Sequence, residues 1–187
     1  MATSKPGSGV DVRAAAPADI PALTDLIVSS ARMLSRGYYT DREIEAAIRY
    51  VFGVDSALIA DGTYFVARLD GALAGCGGWS RRRTLYGGDQ RPVGAPDLLD
   101  PARDAARIRA FFVAPVAARR GVGRALYAEC VAAASAAGFR TLELMATLPG
   151  VPFYAALGFA EVEPVTDALP DGTRIRFVRM RRELAAG

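Results

Sequence analysis

The sequence predicts an α/β protein: one domain built on a mixed central β-sheet flanked by helices. Three observations carry this. The 187 residues suit a single domain at roughly 150 residues per domain. Segments alternating every second residue interleave with segments of helical spacing along the chain, the pattern of strands linked by helices. Tight-turn signals, Asp70-Gly71 early and Pro170-Asp171-Gly172 late, put hairpins at both ends of the sheet.

Met1 to Gly9 is small and polar and is expected to be a flexible tail ahead of a domain spanning 10–187. Val10–Arg13 alternates and reads as the first strand. Asp19-Ile20-Pro21 opens a helix with an acid and a proline in its first turn, and its stripe is Ile20, Leu23, Ile27, Ala31 and Leu34. After a loop with Gly37, Tyr38 and Tyr39, Thr40 to Glu43 forms a capping box. It starts a second helix with Ile44, Ala47, Ile48 and Val51 on one side. Thr63–Leu69 and Ala72–Ser80 are strands joined at Asp70-Gly71. Arg81–Ala105, rich in Arg, Gly, Pro and Asp, reads as a long loop, a length that in a compact domain usually serves function.

Arg107–Val113 is the fourth strand. Gly121–Ala137 is helical, with Val122, Leu126, Cys130, Ala133 and Ala137 facing inward, and Gly138 ends it. Its small residues let it lie close to a sheet. Thr141–Thr147 is the fifth strand, Pro152–Leu157 a short helix, and Glu161–Thr166 and Arg174–Arg182 the last two strands.

Composition removes several chemistries. Apolar residues make up 51% and charged residues 23%, a soluble globular balance that argues against disorder. There is no histidine, which excludes Ser-His-Asp and Cys-His catalysis, HExxH zinc sites and histidine-held haem. Cys76 and Cys130 are the two cysteines, too few for a Cys₄ site, so no metal is expected. Without CxxC spacing they suggest a reduced intracellular protein, with the cytoplasm as its expected location. No apolar run reaches the roughly 20 residues of a membrane span. The net charge of +3 is mildly basic. The arginines do not interleave with aromatics in one basic segment, which argues against a nucleic-acid partner.

The informative stretch is Phe111-Phe112-Val113-Ala114-Pro115, then Arg119-Arg120-Gly121-Val122-Gly123-Arg124-Ala125-Leu126. A strand leads through a basic loop with two glycines into a helix. Free N–H groups and the dipole at a helix start attract an anion, and glycine lets a phosphate approach the backbone. No Gly-Lys-Ser/Thr follows, so this is not a Walker loop. Leu126 stands where a dinucleotide fingerprint needs a third small residue. About 25 residues later comes Phe153-Tyr154-Ala155-Ala156-Leu157-Gly158-Phe159. Together these segments resemble the GCN5-related N-acetyltransferase (GNAT) family over Phe111 to Phe159, and the strand order on either side fits that family's fold.

The resemblance implies an acyltransferase that moves acetyl from acetyl-CoA directly to a primary amine. It implies that Phe111, Phe112 and Val113 offer backbone groups to the pantetheine arm, and that Arg119, Arg120, Gly121, Val122, Gly123, Arg124 and Ala125 hold the pyrophosphate. It implies that Tyr154 protonates the departing thiolate. The family's usual Arg or Gln three residues before the first glycine is Ala118 here, and Arg120-x-x-Gly123-x-Ala125 fits the same pattern one frame later. Thr147 stands where the family often has Asn after the fifth strand, and is the candidate pantetheine contact there. A non-catalytic acyl-CoA-binding or regulatory module on the same fold is the alternative. The partner is a small-molecule or peptide amine, and a homodimer is the oligomeric option.

Amine transfer needs a base and an acid. A lysine-like amine is neutral in only about one molecule in 10³ at pH 7. With no histidine, the base is a carboxylate, tyrosine, cysteine or water, and Glu143 on the fifth strand is the candidate. For the acceptor site the candidates are Trp79, after the glycine-rich Gly75-Cys76-Gly77-Gly78, and Arg107 with Arg109, which share a face of the fourth strand. Those arginines would suit an acceptor carrying a carboxylate or phosphate.

Overall fold

In the computed structural model, which describes residues 9–91 and 97–184, seven segments pair as strands. They are β1 (Val10–Ala14), β2 (Tyr64–Leu69), β3 (Ala72–Ser80), β4 (Ala106–Val113), β5 (Thr141–Thr147), β6 (Ala160–Ala168) and β7 (Arg174–Glu183). All but Gly9 of the expected tail lies outside the described residues. The helices are α1 (Ile20–Leu34), α2 (Asp41–Tyr50), α3 (Ser56–Ala60), α4 (Val122–Ala136) and α5 (Val151–Ala155). The sheet order is β1-β2-β3-β4-β5-β7-β6. Every neighbouring pair is antiparallel except β4 and β5. A parallel pair needs a crossover, and α4 supplies it. Among the described residues no helix is long and apolar enough to cross a membrane.

Local chemistry sets the elements. Thr40 Oγ1 accepts from the Glu43 amide while the Glu43 carboxylate accepts from the Thr40 amide, the reciprocal cap that starts α2. Asp55 caps the short α3, which the sequence pattern did not register: its carboxylate accepts from the Leu58 amide at 3.3 Å. One core lies under α1, α2 and α3 and includes Leu23, Ile27, Ile44, Leu58, Val66 and Phe177. On the other face Cys130 of α4 and Tyr154 of α5 pack with Ile108, Leu142 and Leu144.

Two expected stripes shift. In α1 the buried residues are Leu23, Leu26, Ile27, Ser30 and Ala31, and Leu34 is exposed. In α4 they are Val122, Leu126, Tyr127, Cys130 and Ala134. Ala137 is exposed, because the helix has ended and the chain turns through Gly138 at φ +92°.

One irregularity decides where the site falls. Cys76 pairs with Phe112 and Gly78 with Arg109, so Ala110 and Phe111 together oppose the single residue Gly77. This is a β-bulge, and Ala110 takes φ +52°, a region L-residues with a Cβ rarely occupy. The Tyr64 hydroxyl donates to the Ala110 carbonyl at 3.0 Å and pins the bulge. Gly77 makes room for it: a Cβ there would sit 2.5 Å from the Phe111 ring. Pairing of β4 with β5 covers only Ala106 with Leu142 and Arg107 with Glu143. The ladder ends at Arg107, three residues ahead of Ala110, and the two parallel strands part from there.

Candidate active site

A cavity of about 690 Å³ opens where β4 and β5 separate. Its walls include Phe111, Phe112 and Val113 from β4, and Met145 and Thr147 from β5. Strand edges that stop pairing leave backbone donors and acceptors to be satisfied by something else, here whatever enters the slot.

At one end of the cavity stands the start of α4. Gly121 is its N-cap at φ +86°, and nothing lies within 4 Å of where a Cβ would project. The backbone there is open to an approaching group, at the positive end of a 15-residue helix whose first N–H groups lack intrahelical partners. Arg119 (φ +64°), Gly121, Val122, Gly123 and Arg124 all line the cavity. Gly123 also serves packing, because a Cβ on it would lie 3.0 Å from the Phe153 ring. Arg120 is turned elsewhere: its Nη2 donates to Asp70 at 3.0 Å, and it is not among the lining residues. Ala125, half-buried one turn on, is not among them either.

Tyr154 on α5 lines the middle of the cavity. Its ring meets Phe153, Phe159 and Phe111 edge-on at centroid distances of 5.1, 5.7 and 6.4 Å. Burial pushes its phenol well above the ordinary tyrosine value. The group therefore stays protonated at neutral pH. Tyr39 is a second buried phenol, and it is committed to structure. Its hydroxyl donates to the Arg176 carbonyl at 2.6 Å and accepts from the Leu148 amide at 2.9 Å, with burial raising it to about 12.

The remaining candidates lie differently. Glu143 is buried, and its carboxylate is engaged by two guanidinium groups: Arg107 Nη1 at 2.8 Å and Arg179 Nε. It does not line the cavity. Arg107 faces that carboxylate, so its charge is neutralised within the sheet. Arg109 does reach the cavity wall, but its two terminal nitrogens are engaged: by Asp55 Oδ2 at 2.7 Å, by the Thr84 carbonyl at 2.9 Å and by the Gly87 carbonyl. The pair is deeply buried, with 5% of Arg109 and 11% of the Asp55 side chain exposed. Burial pushes the Asp55 carboxyl up and the Arg109 guanidinium down, each toward its neutral form. Trp79 packs into the core with Ile108 and Cys130, edge-on to Phe139 at 5.9 Å, and is not among the residues that line the cavity. Cys76 and Cys130 are fully buried, and burial raises both thiols, that of Cys76 to about 12, which leaves them unreactive. Among the described residues no group of three or more His, Cys, Asp or Glu side chains gathers to hold a metal.

Sequence reasoning missed the far wall of the cavity. Leu34, Phe52, Tyr86 and Phe177 line it from four separate segments. Tyr86 stands on the long loop, which is anchored to the body. Arg82 forms two bonds to Asp61 at 2.7 and 2.8 Å, and Asp89 accepts from the Ser56 amide and hydroxyl.

The acetyltransferase (GNAT) family model matches residues 27–159, and the chain belongs to that family. No curated protein matches the chain. Among solved structures, a GCN5-related N-acetyltransferase from Rhodopseudomonas palustris superposes with a TM-score of 0.69 at 22% identity, covering 98% of this chain and 99% of that one. The PaiA N-acetyltransferase from Thermoplasma acidophilum, solved in complex with coenzyme A, gives 0.62 at 14% identity, with 94% and 99% covered. A GCN5-related N-acetyltransferase from Kribbella flavida gives 0.57 at 25% identity, with 96% and 100% covered. The mixed sheet flanked by helices is the fold of these proteins.

Proposed function

We propose that the protein is an acetyl-CoA-dependent N-acetyltransferase that transfers acetyl directly to a primary amine, with Tyr154 as the general acid. The single observation that carries this reading is the parting of β4 and β5 after Arg107, ahead of the Ala110 bulge, which joins an anion-suited helix start to a protonated phenol across one cavity. The residues present fit acetyl-CoA. The amides at Gly121–Gly123, with Arg119 and Arg124, would hold the pyrophosphate. The released edges of β4 at Phe111–Val113 and of β5 near Thr147 would hold the pantetheine amides. When bound, the co-substrate supplies an activated acetyl thioester.

The chain's own contributions are orientation, exclusion of water and one proton. The hydrophobic walls displace water from the slot, which strengthens hydrogen bonding inside it. The Tyr154 hydroxyl holds a proton that can pass to sulfur as negative charge develops there. Amine deprotonation falls to water or to the acceptor's own free-base fraction, because Glu143 is occupied by Arg107 and Arg179. A thiol-release assay with acetyl-CoA and a panel of amines tests the reading. Turnover with any amine supports the enzyme. Tight acetyl-CoA binding with no release for any amine favours the non-catalytic acyl-CoA-binding module instead.

A further inference from the structure

We infer that the acceptor is a small primary amine with an aromatic or branched apolar body and no second charge. This rests on the transferase reading and names its substrate class. The end of the cavity away from the α4 helix start is walled by two aromatic pairs. Phe52 meets Phe112 at 5.7 Å, and Tyr86 meets Phe177 at 5.6 Å. Leu34 and Tyr38 are exposed at its rim.

The charge inventory of the wall points the same way. No Asp or Glu lines the cavity among the described residues, and its charged members are Arg109, Arg119 and Arg124. Arg119 and Arg124 belong to the helix-start end. Arg109 has spent its terminal donors on Asp55 and two loop carbonyls, and its Nε is buried without a partner. A second ammonium on the acceptor would find no carboxylate. At this end an acceptor carboxylate would meet only Arg109, whose terminal nitrogens are already engaged. In an apolar pocket an unpaired charge is expelled, so polyamines, amino acids and basic peptides are disfavoured, and a ring or branched chain is favoured by the aromatic walls. The same apolar surroundings favour the neutral, nucleophilic form of the amine.

Matched pairs differing by one charge test this: phenethylamine against phenylalanine, and pentylamine against 1,5-diaminopentane. Each is assayed for thiol release from acetyl-CoA, and calorimetric binding to the acetyl-CoA-saturated protein is measured alongside. The uncharged-tail member is expected to be favoured by roughly 10²-fold in kcat/KM, and in affinity in the same direction. Tyr86→Ala and Phe52→Ala should raise KM for phenethylamine at least five-fold with KM for acetyl-CoA unchanged. Equal or better use of the charged member overturns the inference, as does preference for a peptide. If no amine releases thiol, the transferase reading fails, and the binding series still decides the pocket. Absence of phenethylamine binding then overturns the inference as well.

Discussion

Arg109 on β4 and Asp55 at the cap of α3 meet at 2.7 Å beneath the loop that carries Tyr86. The same guanidinium ties down the carbonyls of Thr84 and Gly87. One buried side chain thus fastens the sheet, a helix start and the cavity's loop wall together. The pair is a strut for the proposed acceptor end.

Asp55→Asn should therefore act on both stability and acceptor binding. Leaving Arg109 buried without its counter-ion costs about 3–5 kcal/mol, a fall in Tm on the order of 10 °C for a chain of this size. With Thr84 and Gly87 less firmly held, KM for the amine should rise while KM for acetyl-CoA stays put. Thermal melts and steady-state kinetics check both. An unchanged Tm would mean that the strut is not what holds the loop.

The helix-start loop gives a sharper contrast. Arg119→Ala and Arg124→Ala should each weaken acetyl-CoA binding by roughly five-fold, the value of about 1 kcal/mol for an exposed charge at an anion site. Arg120→Ala should change little, since Arg120 faces Asp70. Gly121→Ala adds about 1–2 kcal/mol of backbone strain at φ +86° and puts a methyl where a phosphate would approach, so it should weaken binding more than either arginine variant. Calorimetry with coenzyme A ranks all four. Equal losses for Arg119, Arg120 and Arg124 would dissolve the distinction.

The sheet was legible because outer strands such as β7 alternate between buried and exposed residues and its hairpin turns carry strong chemistry at Asp70-Gly71 and Pro170-Asp171-Gly172. The helix-start loop was legible because glycine at a left-handed cap is a local demand. The proposed acceptor wall was not. Leu34, Phe52, Tyr86 and Phe177 converge only through tertiary packing, and none of them sits in a local pattern that marks it. Arg107 and Arg109 were legible as one face of a strand, but not as bound, because their partners Glu143 and Asp55 lie on other elements. The Ala110 bulge left no trace beyond Gly77 opposite it. Alanine at φ +52° is a conformation its own side chain disfavours, held by Tyr64 from another strand.

Glu143→Gln separates a structural acid from a catalytic one. The carboxylate neutralises Arg107 and Arg179 inside the sheet. Its loss should destabilise the fold by about 3 kcal/mol, the lower end for a buried pair because Arg179 is partly solvated. The pH dependence of kcat/KM should keep its shape, rising with pH toward the acceptor's own pKa as the free base accumulates. A Tm within a degree of the parent, together with a kcat reduced by 10²-fold and a vanished acidic limb, would instead make Glu143 the base.

Tyr154→Phe tests the acid. The phenol is raised by burial among Phe111, Phe153 and Phe159, and a raised acid stays protonated to higher pH. The parent enzyme should therefore show no loss of kcat from phenol ionisation anywhere below about pH 10. General acid catalysis is worth roughly 10²–10⁴-fold where the leaving group needs it. A thiolate with a pKa near 8.5 by analogy with cysteine leaves tolerably unaided, so the expected fall in kcat is about 10–10²-fold. Acetyl-CoA affinity should hardly move, because phenylalanine keeps the three edge-on aromatic contacts. Phe153→Leu is the paired control: it removes a ring beside Gly123 and no proton, so it should weaken acetyl-CoA binding more than it lowers kcat. If Tyr154→Phe keeps full kcat and loses affinity instead, the hydroxyl serves binding, and the proton must reach sulfur from water.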